Sequence, residues 1–212
     1  MKKRSQSTLE PRKSPVQARS AASVEAILKA TIQVLLKIGK ERLTTTRVAA
    51  RAGVSVGTLY QYFPNKSALL QAALRRHMDE VGLVLETVCR EQTGSSLQKM
   101  ATALVTSFLE AKMKDAKASV ALYSVSSDVD GARIVREMSL KANRAIVAML
   151  ATATDKLTTD TQLVGSMLQA TMAGVSRRLL ESASPESDYE GLRDELVFLV
   201  CAYLHACSKG NA

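Results

Sequence analysis

Thr44-Thr45-Thr46-Arg47-Val48-Ala49-Ala50-Arg51-Ala52-Gly53-Val54-Ser55-Val56-Gly57-Thr58-Leu59-Tyr60-Gln61-Tyr62-Phe63-Pro64-Asn65-Lys66 sets the architecture of this chain. Threonines at 44–46 can cap a short helix that runs to Ala52. Gly53 ends it, because glycine takes a positive φ at little cost and lets the chain turn sharply. A second short helix follows Ser55 and runs to Phe63, where Pro64 stops it, since the residue before proline avoids helical geometry. Ala49 is small where the two helices cross, and Val48, Val54, Leu59 and Phe63 point inward to fix their angle. The pattern predicts a tight helix-turn-helix rather than an ordinary helical hairpin.

The face left outward by the second of these helices carries Val56, Gly57, Tyr60 and Gln61. A hairpin packed on both sides would seldom set a glycine beside polar and aromatic tips there. Thr44, Thr45, Arg47, Arg51, Thr58, Tyr62 and Lys66 surround it, and all can reach phosphates. Cations and hydroxyls around a central base-reading patch are a layout for binding duplex DNA.

Charge placement agrees. Residues 1–66 hold thirteen Lys or Arg against three Glu, whereas the remainder holds sixteen basic and seventeen acidic residues. All of the net +9 therefore resides in the first third, which implies a polyanionic partner. Residues 1–18, rich in Ser, Pro, Gln and charge, are expected to form a disordered basic arm.

Around the motif the pattern is helical throughout. A helix is expected from about Ser20 to Ile38, ended by Gly39, and Asn65 caps a long one reaching Cys89 or Glu91. Further helices are expected near Leu97–Lys112, Lys117–Ser127, Ala132–Thr154, Thr161–Ser182 and Tyr189–Ser208, with breaks at 128–131 and at Ser184-Pro185. The fold class is all-α, with a three-helix DNA-binding domain over 19–66 and a helical domain over 67–212.

The stretch from Arg19 to Leu70 resembles the DNA-binding domain of the TetR (tetracycline repressor) family. The residues that carry the resemblance are Thr44, Val48-Ala49, Ala52-Gly53-Val54-Ser55, Gly57-Thr58-Leu59-Tyr60, Tyr62-Phe63 and Lys66-Ser67-Ala68-Leu69. It implies that Val56, Gly57 and Tyr60 face base edges, with Gln61 in reach of an adenine. It implies too that Thr44, Thr45, Arg47, Ser55, Thr58, Tyr62 and Lys66 lie along the DNA, most of them on phosphates. Tyr62 occupies a position that is often histidine in the family, and its hydroxyl can still donate.

The resemblance further implies a homodimer and a ligand cavity in the second domain. Family members usually dimerise through their last two helices. Two stripes fit that role: Ser166, Ala170 and Ala173 with Gly174 beside them, and Leu192, Leu196, Leu199 and Tyr203. Both stripes can equally be core of one protomer. Methionines suit adaptable apolar pockets, and Met100, Met138, Met167 and Met172 are candidate lining residues, with Phe108, Tyr123 and Asn143 as walls or polar anchors. No charged pair stands out as an anchor, so the expected effector is small and mainly apolar. The expected partners are a double-stranded DNA operator, that effector and a second copy of the chain.

Competing classes find little support. Two histidines, His77 and His205, lie far apart, and no phosphate loop or nucleophile motif appears, which argues against an enzyme. His77 is expected on the solvent side of its helix. Cys89, Cys201 and Cys207 form no metal-binding or disulfide pattern, and no cofactor is implied. Together with the lack of an apolar leader or span, this suits a reducing cytoplasm. A membrane or protein-interaction module using the basic segment is the remaining alternative.

Overall fold

The computed structural model of the chain describes residues 15–126 and 130–208, and the regular elements among them are helices. In order they form α1 (Pro15–Arg42), α2 (Thr45–Ala52), α3 (Val56–Tyr62), α4 (Lys66–Glu91), α5 (Leu97–Met113), α6 (Ala116–Ser124), α7 (Gly131–Leu150), α8 (Thr161–Leu180) and α9 (Pro185–Ser208). The chain divides into two compact units between Leu69 and Leu70, within α4.

In the first unit, α1 packs on α2 and α2 on α3. Its core consists of Ile27, Leu28, Val34 and Leu35 from α1, Leu43, Val48 and Ala49 around α2, Leu59 and Phe63 from α3, and Leu69. Thr31, fully buried among them, satisfies its hydroxyl on the Ile27 carbonyl at 2.8 Å. Gly39, expected as the stop, interrupts α1 with φ 74°, ψ 169°, a conformation open to glycine alone. The helix starts at Pro15, five residues before the expected Ser20. Proline is well suited to a first helical position and Ala18, Ala21 and Ala22 favour helix. Residues 15–18 therefore leave the expected basic arm, and its first fourteen residues lie outside the described residues.

The second unit is knit by α5 on α9, α7 on α8 and α8 on α9. Its core gathers Leu97, Met100, Leu104, Val105 and Leu109 of α5 with Ile146 and Met149 of α7, Leu168 and Met172 of α8, and Leu196, Val200 and Leu204 of α9. Three boundaries differ from expectation, α6 ending at Ser124 rather than Ser127 among them. α7 stops at Leu150 rather than Thr154, because Thr152 and Asp155 accept the Gly94 and Leu97 N–H groups at 2.9 Å each, and so belong to a cap on α5. α9 begins at Pro185 rather than Tyr189, as proline loses no hydrogen bond in a first turn. Among the described residues no helix is long and apolar enough to cross a membrane.

Candidate nucleic-acid interface

Local capping builds the first unit's motif. Thr44 is extended (φ −128°, ψ 152°) and its hydroxyl accepts the Arg47 N–H at 3.3 Å, starting α2. At the other end Gly53 is left-handed (φ 71°, ψ 27°). There the Gly53 N–H donates to Ala50 O (3.3 Å) and the Val54 N–H to Ala49 O (3.1 Å), the paired bonds of a Schellman stop. Ser55 then caps α3: its Oγ accepts the Thr58 N–H at 2.9 Å and shares a 2.8 Å bond with Thr58 Oγ1. Phe63, extended before Pro64, closes α3, and Asn65 Oδ1 accepts the Ala68 N–H at 2.8 Å to open α4. One left-handed glycine and three polar caps thus hold α2 and α3 at a fixed turn.

α3 offers a buried and an open side. Leu59 is wholly buried, with Phe63 beneath it. Val56, Gly57, Tyr60 and Gln61 are exposed, Tyr60 about half so at 49%. A Cβ on Gly57 would meet nothing nearer than Ser55 Oγ at 3.7 Å, so its bareness answers no packing need inside the chain.

The predicted phosphate contacts divide by what else they do. Thr44 and Ser55 already serve as caps; the Thr44 hydroxyl hydrogen remains able to donate outward, and the bonded Ser55–Thr58 hydroxyl pair keeps one hydrogen between them. Thr45 Oγ1 meets the Tyr60 hydroxyl at 3.1 Å, tying α2 to the exposed face of α3. Arg47 donates Nη1–H to the Arg42 carbonyl at 2.7 Å and Lys66 donates to the Lys40 carbonyl at 2.6 Å. Both cations are thereby held beside the C-terminal end of α1, their remaining N–H groups unspent. Thr58 and Tyr62 are partly buried.

The expected ligand residues fall in different settings, though Phe108 and Tyr123 both flank Lys112 Nζ, at 5.7 and 4.6 Å from their ring centroids. Met100, Phe108 and Met172 are buried in the core cluster of the second unit, Tyr123, Met138 and Asn143 are partly buried, and Met167 is 47% exposed on α8. Asn143 Oδ1 is buried without a hydrogen-bond partner beside the α7–α8 contact, where a Cβ on Gly165 would come within 2.7 Å of Val147.

The expected dimer stripes split as well. Ser166, Ala170 and Ala173 are exposed on α8 with Leu163 (54%) and Met167. On α9, Leu199 is exposed, but Leu196 is core and Leu192 and Tyr203 pack against it. Those three are spent inside the protomer because α9 turns that side toward α5. The open stripe of α9 is shifted to Phe198 (70% exposed), Leu199, Ala202 and Ala206. Phe198 was missed, although an aromatic one residue off the stripe of leucines was the available signal.

His77 corrects another expectation. It is buried at 7% exposure, and its Nε2 meets Ser119 Oγ at 2.9 Å. It lies three and four residues after Leu74 and Ala73, hence on the core-facing stripe of α4. Burial, then the nearby Lys112 ammonium, pushes its pKa below the ordinary 6.5. Lys112, on α5, was not singled out. Its spacing of four and eight residues from Phe108 and Leu104 marks a buried face.

Residues 27–73 match the family of bacterial regulatory proteins named for tetR, and residues 96–204 match the tetracyclin repressor-like C-terminal domain. Among curated relatives, the HTH-type transcriptional repressor KstR of Mycolicibacterium smegmatis is 47% identical over 55 residues, covering 26% of this chain and 27% of KstR. That alignment therefore spans about a quarter of the relative's length. Among solved structures, a regulator assigned to the TetR family from Mesorhizobium loti MAFF303099 superposes with TM-score 0.72 at 18% identity, over 89% of this chain and 98% of that one. The SmeT–triclosan complex gives TM-score 0.66 at 23% identity, over 90% and 93%. At such identities the structures speak for the fold.

Proposed function

The chain belongs to the tetR family of bacterial regulatory proteins, and from that premise we propose that it is a ligand-responsive transcriptional repressor acting as a dimer on a palindromic operator. The observation that carries this reading is the solvent-open face of α3, where Val56, Gly57, Tyr60 and Gln61 stand clear above a buried Leu59. Tyr60 and Val56 suit thymine methyls and Gln61 an adenine edge. Thr44, Thr45, Arg47, Ser55, Thr58, Tyr62 and Lys66 supply the flanking phosphate contacts. The N-terminus of α4 at Lys66 adds backbone N–H groups aimed at a phosphate.

One reading head of this size binds weakly, and two on a palindrome give specificity. The second head comes from another copy, docked through the exposed apolar stripes of α8 and α9. A small, mainly apolar effector taken into the second unit releases the operator by binding the DNA-incompetent state more tightly. The work is binding rather than turnover, and it takes place in the cytoplasm with the chromosome.

The test selects duplexes from a random library with the purified protein and measures their binding by gel shift. A recovered palindrome bound by the parent and lost on joint Thr58→Ala and Tyr60→Ala substitution is expected. Unchanged binding by that double variant refutes the reading head.

A further inference from the structure

Lys112 stands out among the charged residues of the second unit. It lies in the last turn of α5, where a cation commonly reaches past the helix end into water. Here the side chain turns inward and only 4% of the residue is exposed. Among the described residues no carboxylate pairs with it. Two acids act on the neighbouring His77, and each has a partner of its own: Asp115 Oδ1 accepts the Ala118 N–H at 2.9 Å, and Glu80 holds Arg76 at 3.0 Å.

What surrounds the ammonium is neutral. It donates one hydrogen to the Tyr123 hydroxyl, and its nitrogen is 4.6 Å from the Tyr123 ring centroid and 5.7 Å from that of Phe108. The Tyr123 hydroxyl in turn spends its own hydrogen on Met78 Sδ at 3.4 Å, a thioether and so a weak acceptor. His77 closes the group, bound to Ser119, its pKa lowered in part by this ammonium. A buried ammonium without a counter-charge is an expensive arrangement. Two strong donors, Lys112 N–H and Tyr123 O–H, therefore converge on one place with partners poorer than they can accept.

We propose that Lys112 and Tyr123 form a carboxylate-binding site, so that the effector is an apolar acid whose two carboxylate oxygens accept from the ammonium and the phenol. The inference rests on the regulator reading and narrows its effector class. Phe108 and Met78 supply the apolar wall for the body of the acid. Met78, unbranched and with three rotatable side-chain bonds, is the residue that yields space. The charge-assisted bonds formed are stronger than the hydroxyl and thioether contacts they replace.

The test uses the full chain and matched probes: decanoate against decanol, and phenylacetate against 2-phenylethanol. Binding is read by isothermal titration, and thermal melts are recorded with and without probe. At least one acid is expected to bind about tenfold or more tighter than its alcohol, a preference lost in Lys112→Met and largely kept in Lys112→Arg. Without probe, Lys112→Met is expected to melt no lower than the parent, since an apolar residue of similar length relieves a buried, unpaired charge. If Lys112→Met fails to fold, Tyr123→Phe serves instead, keeping the ammonium and weakening the acid several-fold. Equal binding of acid and alcohol in both pairs overturns the proposal. So does an acid preference that survives Lys112→Met. Operator binding is measured separately. Its loss with acid preference intact removes the regulator reading alone, and the reverse result removes this site alone.

Discussion

Gly57→Ala separates stability from recognition, because the two should move in opposite directions. The added methyl meets only Ser55 Oγ, at an ordinary 3.7 Å, and no positive φ is involved. Gly57 is the second residue of the seven-residue α3. Alanine at a helical position gains about 0.5–1 kcal/mol over glycine, and the lower figure suits a first turn. For a chain of this size or for its smaller unit alone, about 0.5 kcal/mol raises Tm by roughly 1–4 °C. On the duplex the same methyl enters a face proposed to lie against base edges. Overfilling a close-packed contact costs about 1–3 kcal/mol, and a dimer incurs it at two heads. Each 1.4 kcal/mol is about tenfold in Kd, so at least a tenfold loss is expected. Fluorescence anisotropy on the selected duplex at fixed salt, beside a thermal melt, reads both. A variant that melts higher yet binds within about twofold of the parent refutes the placement of Gly57 against DNA. One that melts lower refutes the account of α3 as a helix with room at that position.

The other proposals yield sharper measurements. Lys66→Ala should weaken binding to every duplex alike and reduce the slope of log K against log salt by about two, roughly one for each head of the dimer, from titrations at several salt concentrations. An unchanged slope removes Lys66 from the phosphate contacts. Phe198→Glu should convert a dimer to a monomer in sedimentation velocity, because the ring is 70% exposed and a carboxylate there would be buried unpaired across two copies. A persisting dimer places the interface elsewhere. His77 has a lowered pKa in the folded state, so the unfolded chain binds its proton more readily. Its contribution to stability is therefore complete above the unfolded value of 6.5 and falls as pH drops from there through the folded value. Urea midpoints at pH 7.5 and 5.5 should differ less in His77→Gln than in the parent. Cys89, whose thiol burial pushes up to about 11, should resist iodoacetamide at pH 8 while the partly buried Cys201 reacts, as mass spectrometry of the native protein would show.

What could be read from the sequence was whatever the chain decides within a few residues. Thr44, Gly53, Ser55, Pro64 and Asn65 each act on a backbone group no more than four positions away, so the helix-turn-helix is legible in the sequence alone. Elements closed by distant partners did not. α7 ends where Thr152 and Asp155 are taken by residues 58 positions earlier in the chain, and no local pattern announces that. Pro185 reads as a break in the sequence and is a start in the fold, since proline signals both and only tertiary packing chooses.

The same distinction governs the two sites. A DNA-reading face is convex, so its residues lie outward on one short helix and their spacing exposes them. The proposed acid site is instead assembled from α4, α5 and α6, whose side chains come together only after folding. His77 therefore looked solvated and Lys112 looked like one more lysine, until 42 and 11 residues of separation collapsed onto Ser119 and Tyr123. A lysine four and eight residues beyond Phe108 and Leu104, on a helix face otherwise apolar, is the kind of exception that sequence can register. Only burial turns it from an irregularity in the pattern into a charge that calls for a partner.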